Sequence, residues 1–309
     1  MPFVSGEYLN DVLAPQILRE LKDDKADFFA AIPNSPANTI TDEGLRLHLL
    51  RETQEADINP GADYVDGDVV ALDVNKLLIP WDIISTKPMQ VTKDEIRASV
   101  FDRQSEIRVQ TNRVLRRKYR DYVLHNLAPA DSSDAKLPVL RTTGADDGTG
   151  RRRLIVDDLI TYQKMLRSIN LDQESEDWYI RLSNEHVTDL LIDTKSNQTF
   201  RDLYHKTPSG EMMNVYGFKF FRGNHQILFA TGGAKKAIGA AAIATDRNAS
   251  IFWTPAMVTK SIGMVTAHLN PMSQDTRSNP PKEEFRLTGY IQAQLKHETG
   301  TGAIVSGIV

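Results

Sequence analysis

The sequence predicts an α+β fold, because one long helical segment lies between segments that have the patterns of β-strands. Thr92–Leu127 contains neither proline nor glycine and carries an apolar stripe at helical spacing. Before it, Leu45–Leu49 alternates apolar and polar residues as a strand does, and a second β-like run spans 69–84. After it, residues 138–309 mix short helical segments with β-like ones.

Composition and charge exclude several classes of protein. The 309 residues are 40% hydrophobic and 25% charged, as in a folded chain of two domains or one elaborate domain. The absence of cysteine excludes disulfides, thiolate nucleophiles and cysteine-ligated metal centres. A net charge of −4 argues against a general nucleic-acid binder. No apolar run approaches the roughly 18 residues of a membrane span, and the first residues do not resemble a signal peptide.

The N-terminal region is expected to be helical. Leucine and isoleucine recur every four residues, which predicts an amphipathic helix over 7–31. Pro15 interrupts this pattern, so two short helices or a kink are expected. Pro33 and Pro36 close the segment.

A two-stranded arm follows. Its strands are Leu45–Leu49 and the run 69–84, in which Pro80 must lie at an edge, a bulge or a strand end because it lacks an N–H group. A hairpin of two strands is marginal alone, so the arm should lie against something else. Its tip is turn-rich and acidic. The acidic residues are Glu52, Glu55, Asp57, Asp63, Asp66 and Asp68.

The long helix is expected to be a mechanical spine. Thr92 and Glu95 form a capping box at its start, and Pro129 stops it. About 35 residues at 1.5 Å each give a rod of about 50 Å. Acidic residues crowd its first half and basic residues its second, as the helix dipole favours. The predicted apolar stripe is Ile96, Val100, Ile107, Val114 and Tyr122.

The remaining segments alternate in type. A helix over Asp157–Asn170 is expected to bury Leu159, Ile160, Met165, Leu166 and Ile169. Ser183 is expected to cap a short helix that ends near Leu191, and Pro255–His268 is predicted as another helix. The predicted strands are Arg151–Ile155, Trp178–Leu182, Tyr216–Phe221, Ala249–Trp253, Glu284–Lys296 and Ala303–Val305.

No catalytic or metal-binding motif is present. The seven histidines stand apart, and His186 is expected to have a packing or capping role. Thr231–Lys236 lacks the spacing of a phosphate-binding loop, and no nucleophile elbow occurs. Clustered aspartates at 63–68 and at 146–147 could bind calcium, but solvated loop tips are the simpler interpretation. We therefore expect no metal, no cofactor and no catalysis.

The basic half of the long helix is the strongest candidate site on charge. It is a solvated face that pairs with nearby acids, an inter-subunit contact with the acidic arm of a neighbouring copy, or a nucleic-acid contact. The run Arg151–Arg153 leaves the same three alternatives open. The site candidates on the helix are Arg113, Arg116, Arg117 and Arg120.

The order of these elements resembles the capsid fold of tailed bacteriophages of the Hong Kong 97 type, over nearly the whole chain. Val69–Val74 through Lys87–Ile96 is similar to that family's extended loop where it returns into the spine helix. Trp178–Ser183 and Tyr216–Phe220 resemble its axial domain, and Ala249–Trp253 and Arg286–Tyr290 resemble its closing segments. More narrowly, Ile96–Ser99 and Asp275–Pro281 are similar to capsid proteins of phages and prophages of Bacteroidetes.

The resemblance implies a division of the chain into five parts. They are an N-terminal arm (1–41), an extended β-hairpin loop (42–92), the spine helix of a peripheral domain (93–137), an axial domain (138–270) and returning strands (271–309).

The resemblance also implies a function. It predicts a major capsid protein that forms pentamers and hexamers of an icosahedral shell around double-stranded DNA, without sequence-specific binding. Scaffold, portal and decoration proteins would be its partners, and assembly would take place in the cytoplasm of the bacterial host before the protein resides in the virion. The alternatives are an encapsulin-like nanocompartment shell, a tail or connector protein, and an unrecognised hydrolase or metal enzyme.

Overall fold

The computed structural model describes most of the chain in two compact units. The first unit is Met1–Lys25, Trp81–Val123 and Lys260–Gln292, and the second is Ala26–Pro80, Leu124–Thr259 and Ala293–Val309. The described residues are 15–17, 19, 27–35, 46–52, 74–92, 103–169, 171, 177–193, 213–270 and 282–308.

Within these residues the chain forms four named α-helices and fifteen strands, and residues 15–17 and 19 are also helical. The helices are α1 (Asp27–Ala30), α2 (Arg103–Leu127), α3 (Val156–Ser168) and α4 (Asn184–Ile192), with a 3-10 turn at Pro255–Met257. The strands are β1 (Arg46–Glu52), β2 (Val74–Pro80), β3 (Asp82–Ser85), β4 (Met89–Thr92), β5 (Val139–Arg141), β6 (Arg151–Arg152), β7 (Tyr179–Leu182), β8 (Met213–Val215), β9 (Phe218–Arg222), β10 (Leu228–Phe229), β11 (Arg247–Trp253), β12 (Val258–Asn270), β13 (Lys282–Leu295), β14 (Thr301–Val305) and β15 (Gly307–Ile308).

The predicted pairing of two strands is confirmed over a shorter range than 69–84, because β3 (Asp82–Ser85) belongs to another sheet. β1 and β2 pair antiparallel from Arg46 opposite Pro80 to Glu52 opposite Val74. Pro80 is the last residue of β2, where its missing N–H group interrupts no ladder. The acidic tip of the arm lies outside the described residues.

In the first unit, β12, β13 and β3 form a sheet in that order, with β4 also on β13. Helix α2 ends at Leu127 as predicted, while the predicted capping box falls partly outside the described residues. The predicted apolar stripe is wrong at Val114, which is exposed, whereas Ile107 and Tyr122 are half-buried and Ile96 and Val100 lie outside the described residues. Within the described part of α2, the buried side chains are Thr111, Leu115, Tyr119, Val123, Leu124 and Leu127.

The predicted helix over Pro255–His268 is wrong. Only Pro255–Met257 forms a helical turn, and the chain then continues as the thirteen-residue strand β12. This stretch is rich in β-branched residues, which favour a pleated surface with packing on both sides. The first six residues of β12 are all buried, so the strand does not show the alternation that would have identified it.

The second unit is built on a mixed sheet with the strand order β5-β14-β11-β7-β9-β8, and β10 pairs with β11. The β5–β14 and β7–β9 pairs are parallel. The core cluster contains residues of α3, α4 and this sheet, among them Tyr162, Trp178 and Phe252. The Tyr162 and Phe252 rings meet edge to face at 5.8 Å between centroids. The predicted burial of Ile160 is wrong, because Tyr162 points into the core instead.

Candidate functional site

The predicted site residues differ in exposure, and several of them lie outside the described residues. Arg113 and Arg117 are exposed on α2, whereas Arg116 and Arg120 are half-buried on the same helix. Glu52 is the last residue of β1. The other acidic candidates lie outside the described residues, so the pairing of the acidic arm with the basic helix stays a prediction. They are Glu55, Asp57, Asp63, Asp66 and Asp68.

The outer face of α2 combines exposed apolar and basic side chains. Val109 and Val114 are 60% and 46% exposed. Arg113, Arg117 and Lys118 are exposed beside them, and none of the three forms an ion pair within the part of the chain that the structure describes. Arg113 and Arg117 are four residues apart, a spacing at which like charges destabilise a helix slightly. This surface can therefore accept an anionic partner.

Arg151 is bound by acidic side chains of its own chain, unlike the exposed Arg152 that follows it. Its guanidinium donates to both oxygens of the buried Asp189 carboxylate at 2.7 and 2.8 Å. Its Nε donates to Asp147 Oδ2 at 2.7 Å. Arg151 is therefore an internal, paired residue, which excludes the solvated, inter-subunit and nucleic-acid interpretations for it. Arg152, the next residue, is exposed.

His186 lies beside this ion pair and is fully buried. Its Nδ1 is 2.6 Å from Ser250 Oγ, and its Nε2 is 2.9 Å from Ser306 Oγ. Burial and the charge of Arg151 lower the pKa of His186 to about 3, so the ring is neutral at pH 7. The predicted packing role is confirmed.

This cluster lacks the arrangement of a hydrolase. A catalytic histidine needs a carboxylate to orient it and a serine that substrate can reach. Here the Asp189 carboxylate binds Arg151, and Ser250 and Ser306 are both buried. The cluster instead joins α4, β6, β11 and the segment that follows β14.

The loops at Asp146–Asp147 and Thr231–Lys236 form internal hydrogen bonds. Asp146 Oδ1 accepts hydrogen bonds from the backbone N–H groups of Gly148 and Gly150. Lys235 Nζ donates to the carbonyls of His125 and Ala128 at 2.7 and 2.6 Å, at the end of α2. Burial lowers the pKa of Lys235 to about 8. Among the described residues, no group of three or more acidic or histidine side chains is placed to hold a metal ion.

Solved structures resemble this chain closely in fold, although no family model and no curated protein matches it. The capsid of cyanophage P-SCSP1u matches with a TM-score of 0.57 and 14% identity over 90% of this chain and 87% of that one. The cyanophage Pam1 capsid matches with a TM-score of 0.57 and 12% identity over 88% and 87%. The chain has the Hong Kong 97-type capsid fold.

A third match is a virus-like particle from Pyrococcus furiosus, with a TM-score of 0.51 and 12% identity over 95% of this chain and 98% of that one. The capsid fold accounts for an α+β chain with a long helix and a separate two-stranded hairpin. Within the described residues, no helix is both long and apolar enough to cross a membrane.

Proposed function

We propose that this chain is the major capsid protein of a tailed bacteriophage, a structural subunit of the icosahedral shell that encloses double-stranded DNA. The observation that carries the proposal is the match to two cyanophage capsids over 88–90% of the chain. The lack of an accessible catalytic arrangement around His186 agrees with a structural role. The uncovered basic and apolar face of α2 agrees with assembly from many copies.

The test is negative-stain electron microscopy of the purified recombinant chain, with light scattering on the same sample. Shells, tubes or rings of five or six subunits are expected. A monodisperse monomer or dimer across a range of salt and crowding agents would contradict the proposal.

We propose the same division of the chain that the resemblance implies. Residues 1–41 would be an arm, 42–92 an extended loop, 93–137 the region of the spine helix, 138–270 an axial domain and 271–309 returning strands. The antiparallel pairing of β1 with β2 and the position of α2 in the chain support this division.

We further propose that the acidic tip of the arm contacts the basic face of α2 in a neighbouring copy. The exposed Arg113 and Arg117 have no ion pair within the described residues, so a carboxylate from another copy can neutralise them. The half-buried Arg116 and Arg120 lie on the same helix and would border this contact. Deleting residues 52–68 is expected to leave a folded monomer that does not assemble, and normal shells from this deletion would contradict the contact.

A nanocompartment shell is not favoured, because most of the similar solved structures are those of phages. The contents of the shells distinguish the two. Particles of virion size that package long DNA with a scaffold and a portal support the phage capsid. Small uniform shells that load a cargo enzyme would favour the alternative.

The expected partners follow from the same proposal. A scaffold, a portal and decoration proteins would act during and after assembly in the cytoplasm of the bacterial host. The short segments Ile96–Ser99 and Asp275–Pro281 support a phage of Bacteroidetes. Co-expression with the neighbouring genes of such a phage is expected to give closed shells of uniform size.

A further inference from the structure

A groove in the second unit brings arginine side chains together without a carboxylate. Its volume is about 400 Å³. The lining residues are Arg141, Thr142, Thr143, Arg152, Thr231, Gly307 and Ile308. The two arginines come from β5 and β6, which are separated in the chain by the loop 142–150.

Arg141 is held in place by the backbone. One terminal nitrogen of its guanidinium donates to the carbonyls of Ala230 and Thr231 at 3.2 and 3.3 Å. Burial and the nearby charge of Arg247 lower the pKa of Arg141. The chain therefore fixes a half-buried cation beside a second cation, an arrangement that is unfavourable unless an anion compensates it.

Arg152 reaches the groove from another wall. Its side chain is exposed and makes one long hydrogen bond, from Nη1 to the carbonyl of Thr143 at 3.4 Å. A Cβ at Gly307 would lie 3.2 Å from Arg152 Cδ and would also overlap the carbonyl of Thr142. The missing side chain at Gly307 thus lets Arg152 lie along the end of the chain.

Among the described residues, the positive charge of the groove is not balanced by an ion pair. In the part of the chain that the structure describes, no carboxylate forms an ion pair with Arg141 or Arg152. The acidic side chains near the two arginines have other partners. Asp158 accepts hydrogen bonds from the N–H and the hydroxyl of Thr143, a lining residue, and Asp146 accepts from the N–H groups of Gly148 and Gly150. Asp147 and Asp189 bind Arg151, and Asp246 accepts from Lys236 Nζ at 2.6 Å.

We propose that this groove binds a phosphate group. A carboxylate is planar and is satisfied by one guanidinium, whereas a phosphate directs oxygens toward several walls at once and carries up to about two charges. Arg141 and Arg152 would donate to different oxygens, and the exposed Thr231 would add a hydroxyl. Free inorganic phosphate and a nucleic-acid backbone both supply this chemistry.

The proposal is tested on the unassembled full-length chain, so its outcome does not depend on whether shells form. Titration calorimetry with inorganic phosphate is expected to show one saturable site. Arg141→Gln and Arg152→Gln should each weaken binding by roughly tenfold, the loss expected for one charge-assisted hydrogen bond. Arg153→Gln removes the same charge one residue away, outside the groove, and should bind like the wild type.

Two further variants keep the test decisive. Arg152 and Thr231 are exposed, so Arg152→Gln and Thr231→Ala will fold even if Arg141→Gln does not. An absence of saturable heat, or equal affinity in Arg152→Gln and Arg153→Gln, would overturn the proposal. Equal competition by acetate would assign the groove to a carboxylate and would overturn it as well.

A second titration identifies the source of the phosphate. A short DNA duplex that displaces inorganic phosphate, and whose binding weakens in Arg152→Gln but not in Arg153→Gln, would support the groove as a contact to the nucleic-acid backbone. Phosphate binding that the duplex does not affect would support a site for the free anion.

Discussion

Burial sets the protonation state of two histidines in the second unit. His186 and His225 are both buried and both neutral at pH 7. Burial and Arg151 lower the pKa of His186 to about 3, and burial and Arg181 lower that of His225 to about 3. Each histidine therefore favours folding only in its neutral form.

These two histidines predict loss of stability in mild acid. Their folded pKa values lie below the unfolded value of 6.5, so their contribution is complete above pH 6.5 and is lost as pH falls toward 3. The loss is at most about 1.4 kcal/mol per pH unit for each histidine. Urea unfolding of the unassembled chain at pH 7.5 and pH 5.0 measures it, since carboxylates remain largely ionised over this interval.

Two variants test whether His186 causes the loss of stability between pH 7.5 and pH 5.0. His186→Gln should lower the stability at pH 7.5, because it disturbs the bonds to two serines, yet it should show a smaller loss between pH 7.5 and 5.0. His268 is exposed, and His268→Gln should keep the wild-type pH dependence. Identical pH dependence in all three proteins would contradict the assignment.

The buried pair of Arg151 with Asp189 predicts a second residue-scale effect. Asp189→Asn removes the two-pronged partner of the buried Arg151 guanidinium, which keeps its Nε bond to Asp147, and should cost roughly 3 kcal/mol in the free energy of unfolding. Glu298→Gln breaks the exposed pair with Lys136 and should cost less than about 1 kcal/mol. Chemical denaturation compares them. A cost for Asp189→Asn no larger than that of Glu298→Gln would show that the buried pair is not needed.

Sequence reasoning could not have found this pair. Arg151, Arg152 and Arg153 look equivalent in the sequence, and only alternation along a strand separates a buried arginine from an exposed one. The partners of Arg151 lie at Asp189 and Ser306, 38 and 155 residues further along the chain. Pairing over such distances is set by the fold.

At the scale of elements, the sequence predicted helix and strand ends correctly where a residue caps a backbone N–H group or lacks one. Ser183 caps α4 and accepts from the His186 N–H, as predicted. Pro80 ends β2, as its missing donor requires. The strand β12 was missed because its first half is buried on both faces, so that neither a period of two nor one of 3.6 residues shows.

The packing of α2 on the sheet of the first unit predicts a glycine requirement. A Cβ at Gly289 in β13 would overlap the hydroxyl of Tyr119, a fully buried residue of α2. Gly289→Ala should therefore cost about 2 kcal/mol through overpacking. Adding Tyr119→Phe removes the overlapping oxygen and should restore part of the loss.

Thermal and urea unfolding of the single and double variants measure this coupling. Gly232→Ala is the matched control, because a Cβ there meets nothing within 4 Å. If Tyr119→Phe gave no recovery in the Gly289→Ala background, the close approach of helix and strand would not be the cause.

At the scale of the whole molecule, the long helix presents a surface of exposed valines and arginines that the described residues leave uncovered. The exposed valines of α2, and Arg113 and Arg117, which form no ion pair within the described residues, add no stability to a monomer, and like charges four residues apart lower it slightly. Contact with a neighbouring copy in a shell would bury this surface and would explain why it is kept. The sequence could predict this basic face because consecutive charges on one helix need no tertiary information. It could not predict the partner surface, which would come from another copy.

This account predicts that assembly depends on opposite charges on two parts of the chain. The double variant Arg113→Glu/Arg117→Glu should remain a folded monomer and should lose shell formation, because its reversed helix face would repel the acidic tip of a neighbouring copy. Lys164 is exposed on α3, and Lys164→Glu should assemble normally. Light scattering and electron microscopy, with circular dichroism to check folding, distinguish these results.

Reversing the acidic tip as well makes the test specific. Adding Glu55→Lys and Asp57→Lys to Arg113→Glu/Arg117→Glu restores opposite charges across the proposed contact, so this quadruple variant should form shells again. Assembly of the wild type and of the quadruple variant should weaken as salt rises, because exposed charges are screened within about 10 Å at 0.1 M ionic strength. Recovery in the quadruple variant would be difficult to explain without direct contact between the two surfaces. Failure to recover, with the Lys164→Glu control intact, would return Arg113 and Arg117 to a solvated helix face.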